Sequence, residues 1–235
     1  MSDFLAAQEL KTSAAREALG FLQNGMLIGL GSGSTASLFI QLLGEALQSG
    51  QLRDVRAVPT SDNTAAQAVK HGIPLLTLSQ AGELDLAVDG ADEVDPKLNL
   101  IKGLGRALLR EKIIEIHARR FIVIVDESKL VNALGSRVPL TVEIIPFEPQ
   151  VHIRWLNKIG CRAEQWFEES GEPVITDNGN YLARCWFSPA IPDPYKLAEQ
   201  LNNRPGIVEH GLFLDLASDI IIAGKNGVRS ITRPS

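Results

Sequence analysis

The sequence predicts an open α/β domain built on a parallel sheet, joined to a smaller α+β unit. Three observations predict it. Short apolar runs without surface alternation recur through the first 130 residues, separated by helical periodicity, and such runs suit a parallel sheet covered on both faces. A glycine-rich turn, Gly31-Ser32-Gly33-Ser34-Thr35, follows the first run directly and leads into an amphipathic segment. After Gly135 the style changes to partial alternation, prolines and the tight turn Asp177-Asn178-Gly179-Asn180, the signature of a hairpin-containing α+β unit. The expected division is 1–132 plus 211–235 for the open domain and 133–210 for the smaller one.

The elements follow in order. Leu5, Ala6, Leu10, Ala14, Ala18, Leu19 and Leu22 repeat at helical spacing, with Ser2 or Asp3 as a cap. Met26–Leu30 is a strand, and Ala36, Leu38, Phe39, Leu42, Leu43 and Leu47 define the next helix. Val55–Val58 is a strand, followed by Thr60-Ser61-Asp62-Asn63-Thr64 and a helix through Val69. Ile73–Leu76 and Leu84–Val88 are further apolar runs, a helix is expected from Gly105 to His117, and Phe121–Val125 is the clearest strand. In the smaller unit, Val138–Ile145 alternates in part, Val151–Ile159 suits a helix, and Val174–Thr176 with Tyr181–Phe187 resembles a hairpin or a tight turn between strands. Pro194–Leu201 is helical and Gly206–Leu212 a strand. Ile220–Ala223 and Val228–Ile231 form two strands around a turn that return to the first domain.

Composition bounds the function. The 235 residues carry a net charge of −5, with 45% hydrophobic and 22% charged residues. That is neither a disordered chain nor one presenting a broad basic face to nucleic acid. Cys161 and Cys185 fit no metal-ligand spacing, and the four histidines form no cluster. Asp3, Glu9, Lys11, Arg16 and Glu17 near the start do not suit a signal peptide. No apolar run reaches the roughly 20 residues that cross a bilayer. The expectation is a soluble, cytoplasmic protein with no membrane and no nucleic-acid partner.

Gly29, Gly31 and Gly33 alternate after a buried strand, and Ser34 and Thr35 stand at a helix start. Free N–H groups and hydroxyls there can surround an anion. The alternative is a tight structural turn with Ser34 as an ordinary N-cap. Gly31, Gly33 and Ala36 also fit the looser dinucleotide fingerprint, with Asp54 as a weak acidic partner. No Lys and Ser/Thr pair completes a Walker A loop. Thr60, Ser61 and Thr64 either supply hydroxyls to the same crest or simply cap a helix.

The run Asp89-Gly90-Ala91-Asp92-Glu93-Val94-Asp95 ends an apolar strand. Ligands of open sheets collect at the carboxyl ends of strands, and several carboxylates there need a cation, solvent or a hydroxylated ligand. A divalent metal, a surface turn and a polyol site all fit. Lys102 can stabilise a developing oxyanion or be an ordinary surface lysine. Glu111 lies nine residues on, a spacing that does not by itself bring the two together.

In combination these segments resemble the ribose-5-phosphate isomerase type A family over nearly the full chain. The carriers are Gly31–Ala36, Asp89–Glu93, Lys102-Gly103, Leu109–Lys112, Asp126–Lys129, Pro146-Phe147, Thr176–Asn180, and Pro205-Gly206 through Gly211-Leu212-Phe213. The resemblance implies a Rossmann-like main domain with a smaller α+β domain, assembled as a homodimer or homotetramer. It implies interconversion of D-ribose 5-phosphate and D-ribulose 5-phosphate in the pentose phosphate pathway, with no metal and no organic cofactor. By the same resemblance Glu111 is the base moving a proton between C2 and C1. Asp89 assists ring opening, and Asp92 and Lys102 hold the open sugar and stabilise the enediolate. Substrate-binding positions are Ser32, Gly33, Ser34, Thr35, Gly90, Ala91, Gly103, Leu104 and Gly105, with Lys11 and Lys129 as further cations. A non-catalytic sugar-phosphate sensor, an isomerase of another sugar phosphate, or a coenzyme A transferase are the competing functions. Two stretches depart from the family. Leu104 and Arg106 stand where it is richer in glycine, and Glu148-Pro149-Gln150-Val151 is less typical after Pro146-Phe147. Arg106 then either narrows the crest, alters the phosphate geometry or occupies a permissive surface.

Overall fold

The computed structural model describes residues 2–234, with side chains from Gln8 onward. The capping side chains expected at Ser2 and Asp3, like the side chains of Leu5 and Ala6, lie outside what is described. The chain forms two compact units, residues 1–91, 110–129 and 216–235 in one and residues 92–109 and 130–215 in the other.

The first unit is the expected open α/β fold. Its six-stranded sheet runs in the order Gly227–Thr232, Asp219–Gly224, Phe121–Asp126, Leu86–Asp89, Leu27–Leu30, Arg56–Pro59. All neighbours are parallel except the Gly227–Thr232 edge strand, which returns antiparallel along Asp219–Gly224. The tail thus completes this sheet. Helices Ser2–Leu19, Ser34–Gln48, Asp62–Lys70 and Leu108–Glu115 accompany the strands. The main core joins Ala14 and Ala18 with Ile28, Leu30, Phe39, Leu43, Val88, Ile122, Ile124 and Ile221. Burying each large aliphatic or Phe side chain stabilises by about 1.5–3 kcal/mol, which is why the apolar runs become central strands. Leu27–Leu30 lies between Arg56–Pro59 and Leu86–Asp89. The strand order therefore reverses beside it, creating a switch point where carboxyl-end loops open a crevice.

The run Ile73–Leu76 makes no strand; Leu75 forms a single bridge to Ala57. The helix expected from Gly105 begins at Leu108. Arg106 adopts φ 68°, and that left-handed conformation cannot continue a right-handed helix.

The second unit holds a four-stranded antiparallel sheet ordered Ile207–His210, Leu140–Ile144, Tyr181–Trp186, Arg162–Gln165. Helices Pro149–Lys158 and Pro194–Asn202 join it around Leu140, Val142, Ile144, Leu156, Ala183 and Leu201. Cys161 and Cys185 are free thiols buried in this core. The expected helix over 151–159 starts earlier, because Pro149 occupies the first turn after Glu148 at φ 50°. Of the two readings of 174–187, the tight turn forms and the hairpin does not: Thr176 N–H donates to Asn180 C=O at 2.9 Å. Tyr181–Trp186 pairs with Leu140–Ile144 and Arg162–Gln165, while Ile175 makes only an isolated bridge to Tyr181. The turn is shaped instead by Glu143, whose Oε1 accepts from Thr176 at 2.9 Å and Asn180 at 2.8 Å.

The compact units do not follow the expected division: residues 92–109, 130–132 and 211–215 group with the second unit. Glu93–Val94, Leu100–Ile101 and Leu212–Phe213 form a separate three-stranded antiparallel sheet. Buried Glu93 accepts backbone N–H groups of Gly135, Arg137 at 2.7 Å and Val138 at 3.0 Å. Those bonds tie the acidic segment to 135–138, which sequence distance concealed.

Candidate active site

The site residues divide between the two units. In the first, the Gly31–Thr35 turn and Asp89 sit together at the carboxyl ends of the neighbouring strands Leu27–Leu30 and Leu86–Asp89. Their contact is intimate. A Cβ on Gly31 would lie 2.0 Å from Asp89 Cγ, so only glycine admits the carboxylate here. Ser32 N–H donates to Asp89 Oδ1 at 3.0 Å, and Gly90 N–H donates to the same oxygen at 2.6 Å. Two backbone donors fix the direction of a carboxylate that is 1% exposed. Ala91 follows, half-buried, at the end of this unit's first segment.

The phosphate-cradle expectation acquires geometry. The N-cap is Gly33, at φ 98°, and no side chain caps the Ser34–Gln48 helix. Ser34 is thus the first helical residue rather than an ordinary cap. Lys11 Nζ donates to Ser34 Oγ at 2.9 Å, placing a cation beside the positive end of a helix, an arrangement suited to an anion. Ser34 is exposed and Thr35 half-buried. Lys129 ends a short helical turn, Glu127–Lys129, directly after the Phe121–Asp126 strand, on the same carboxyl edge of the sheet. Asp54 is not part of this crest. It lies exposed at φ 60° before Arg56–Pro59 rather than after it, so the dinucleotide fingerprint lacks its acidic partner.

Thr60, Ser61 and Thr64 do both things that their spacing allowed. Ser61 caps its helix by accepting Thr64 N–H at 3.0 Å. Ser32 Oγ also meets the hydroxyls of Thr60, Ser61 and Thr64 at 2.8, 2.9 and 3.0 Å. Thr64 Oγ1 donates to Gly31 C=O at 3.0 Å, locking the turn to the next loop.

Glu111 belongs to the Leu108–Glu115 helix and is 3% exposed. Ile114, three residues on and therefore on the same helix face, packs where Gly29 lacks a side chain: a Cβ there would lie 2.6 Å from Ile114 Cγ2. Gly29 thus lets the helix bearing Glu111 approach the strand that ends in the glycine-rich turn. The alternation Gly29–Gly31 serves two close approaches, one to a helix and one to Asp89.

The second unit supplies Asp92, Lys102, Gly103, Leu104 and Gly105. Asp92 Oδ2 accepts Leu104 N–H at 3.0 Å. Lys102 is 3% exposed, its N–H donates to Gly211 C=O at 2.9 Å, and its Nζ lies 5.4 Å from the Phe213 ring centroid. This is no ordinary surface lysine. Gly103, at φ 115°, has Leu108 and Thr141 where a Cβ would stand. Gly211 and Phe213 support Lys102; the sequence marks them as carriers of the family resemblance and gives them no place among the candidate site residues. Among the described residues, no group of three or more His, Cys, Asp and Glu is arranged to hold a metal ion.

Comparison with known proteins shows the family. Residues 56–227 match the family described as ribose 5-phosphate isomerase A (phosphoriboisomerase A). Ribose-5-phosphate isomerase A of Pyrococcus horikoshii is 46% identical over 227 residues, covering 96% of this chain and 99% of that protein. A probable chloroplastic ribose-5-phosphate isomerase 3 of Arabidopsis thaliana is 43% identical, covering 97% and 85%. Among solved structures, a D-ribose-5-phosphate isomerase in complex with phospho-erythronic acid superposes with TM-score 0.93 at 45% identity, covering 97% of this chain and 99% of that one. The ribose 5-phosphate isomerase from Plasmodium falciparum gives TM-score 0.93 at 36% identity, covering 97% and 100%. The chain belongs to the ribose-5-phosphate isomerase A family.

Proposed function

We infer that this chain interconverts D-ribose 5-phosphate and D-ribulose 5-phosphate through an enediolate. The observation that carries the reading is 46% identity across 96% of the chain to a ribose-5-phosphate isomerase A. The acids and the lysine required by the chemistry accompany it, buried or half-buried.

The chemistry assigns roles. The aldose C2 proton is weakly acidic and becomes removable when the neighbouring carbonyl oxygen is stabilised as charge develops. Glu111 takes that proton and returns it to C1. Lys102 offers a positive charge, and Leu104 N–H, oriented by Asp92, adds a fixed dipole beside it. Asp89, held by the N–H groups of Ser32 and Gly90, moves protons on the sugar oxygens during ring opening. The turn at Gly33, Ser34 and Thr35, with Lys11 and Lys129, binds the phosphate. Its binding energy orients the open chain for the reaction at the other end. The balance closes as the carboxylate carries the proton from C2 to C1 while the O2 hydroxyl proton ends on O1, leaving the C2 carbonyl; every step is a proton transfer, and the scheme calls for neither a redox group nor a metal. A homodimer or homotetramer in the cytoplasm is part of the same reading, supported by the family resemblance.

The test is direct. Purified protein treated exhaustively with chelator is incubated with ribose 5-phosphate, and ribulose 5-phosphate is detected. Product at the untreated rate supports metal-free isomerisation. Activity restored only by one added metal overturns that part, and binding without turnover overturns the enzyme reading in favour of a sensor.

A further inference from the structure

The segment after Lys102 contains an arginine in a conformation that disfavours it. Arg106 sits at φ 68°, where a side chain costs about 1 kcal/mol or more relative to glycine. Its N–H closes a turn onto Gly103 C=O at 3.0 Å. The guanidinium forks onto Glu168: Nη1 donates to Oε1 in a short contact, and Nη2 to Oε2 at 3.0 Å. It also lies 5.0 Å from the Trp166 ring centroid, and a second guanidinium, Arg184, lies 5.3 Å from that ring. Arg184 is itself held by Glu164 at 2.7 Å. All these residues belong to the second unit.

We propose that Arg106 is a positioning residue, a latch that fastens the Lys102–Gly105 loop to Trp166 and Glu168 beyond the Arg162–Gln165 strand. The proposal rests on the isomerase reading for its kinetic consequence, not for its structure. Contacts at both ends hold the loop. Lys102 N–H is held by Gly211 and Leu104 N–H by Asp92. Beyond Gly105 the side chain of Arg106 adds its grip on Glu168. A bidentate arginine–carboxylate pair is geometrically specific, and stacking on tryptophan limits the remaining freedom. Both terminal nitrogens are engaged by a carboxylate, so the latch explains the departure from glycine without assigning the cation to phosphate. Its function is preorganisation: Lys102 and Leu104 N–H stand ready before substrate binds.

The experiment combines kinetics with amide hydrogen exchange. Arg106→Ala, Glu168→Gln and their double variant are compared with wild type. Arg106→Gly is added, since it removes the strained Cβ with the latch and so preserves folding if alanine does not. The expected result is exchange at Leu104 N–H accelerated about three- to tenfold in each variant, as a partly exposed pair permits. The same variants should lower kcat/KM for ribose 5-phosphate by about three- to tenfold, with the double no worse than either single. Wild-type exchange in Glu168→Gln overturns the latch. So do losses that multiply in the double, or a defect in the Arg106 variants that Glu168→Gln does not share. That last pattern would assign the guanidinium to substrate. Exchange is read in substrate-free protein, so a wild type inactive on ribose 5-phosphate would sink the isomerase reading while leaving the latch to be judged by its amides.

Discussion

Glu111 and Gly31 make opposite demands on substitution. Glu111→Gln keeps size and hydrogen-bonding capacity but cannot accept the carbon-bound proton as a carboxylate does. Turnover is expected to fall by about 10²- to 10⁴-fold, while calorimetry still finds ribose 5-phosphate binding. A folded variant that binds and turns over at the wild-type rate would pass the role of base to Asp89. Gly31→Ala tests a purely steric requirement. Its Cβ would lie 2.0 Å from Asp89 Cγ, so the carboxylate or the turn must move. Overpacking of this kind destabilises by about 1–3 kcal/mol, and the larger effect should be on kcat/KM, because the displaced group is Asp89. Thermal melting alongside kinetics separates the two, and unchanged kcat/KM in a folded variant would refute the need for glycine.

Loops between the strands carry most of the candidate positions, and the hydroxyl cluster shows how one loop supports another. Thr64 Oγ1 bonds Gly31 C=O and meets Ser32 Oγ. Thr64→Val keeps the volume and removes these bonds together with the one that Thr64 Oγ1 accepts from Ser61 Oγ at 2.9 Å; a stability loss of about 1–2 kcal/mol is expected, readable in urea, with a rise in KM as Ser32 loses its support. An unchanged KM would leave the cluster with a capping role alone. Ser61→Ala, by contrast, should cost about 1 kcal/mol through its helix cap as well. These elements were legible in unequal measure. Leu86–Asp89, Phe121–Asp126 and Asp219–Gly224 are buried on both faces, so their apolar runs announce them. Arg162–Gln165 reads Arg-Ala-Glu-Gln and is a strand only because Tyr181–Trp186 pairs with it. The pairs Glu93–Val94 and Leu100–Ile101 are too short for any period to register. Asp89, Asp92, Lys102 and Glu111 are candidates that the motifs of the family resemblance offer, and the structure adds that Asp89, Lys102 and Glu111 are buried. The void at Gly31 that admits Asp89, and the grip of Glu168 on Arg106, exist only once distant segments meet.

At the scale of the whole molecule, the edge of the six-stranded sheet is fastened by one buried carboxylate. Asp219 opens the Asp219–Gly224 strand and is 2% exposed. Arg120 Nε donates to it at 2.6 Å from the segment leading into Phe121–Asp126, and Thr232 Oγ1 donates at 2.7 Å from the outermost strand. Three chain segments separated by up to 112 positions therefore share one acid, as the residue numbers 120, 219 and 232 show. Burial pushes the Asp219 carboxyl up, but the hydrogen bonds from Arg120 and Thr232 and the charge of Arg120 outweigh it and hold it below the ordinary range. The hydrogen bond to Asp219 correspondingly raises Arg120. A carboxyl depressed in the folded state binds fewer protons there than in the unfolded chain, so its contribution to stability grows with pH. The contribution is complete above the unfolded aspartate value of about 3.9 and is lost as pH falls through the lower folded value. Asp219→Asn should therefore be less stable than wild type at neutral pH by about 1–3 kcal/mol, the scale of hydrogen bonds to a charged group. That difference should shrink as the pH is lowered below about 4, since wild type then loses the charge that asparagine never had. Urea unfolding of both proteins at several pH values reads the difference directly. A gap that stays constant into acid would mean that the packing of this edge, and not the ionised carboxylate, holds the last two strands to the sheet.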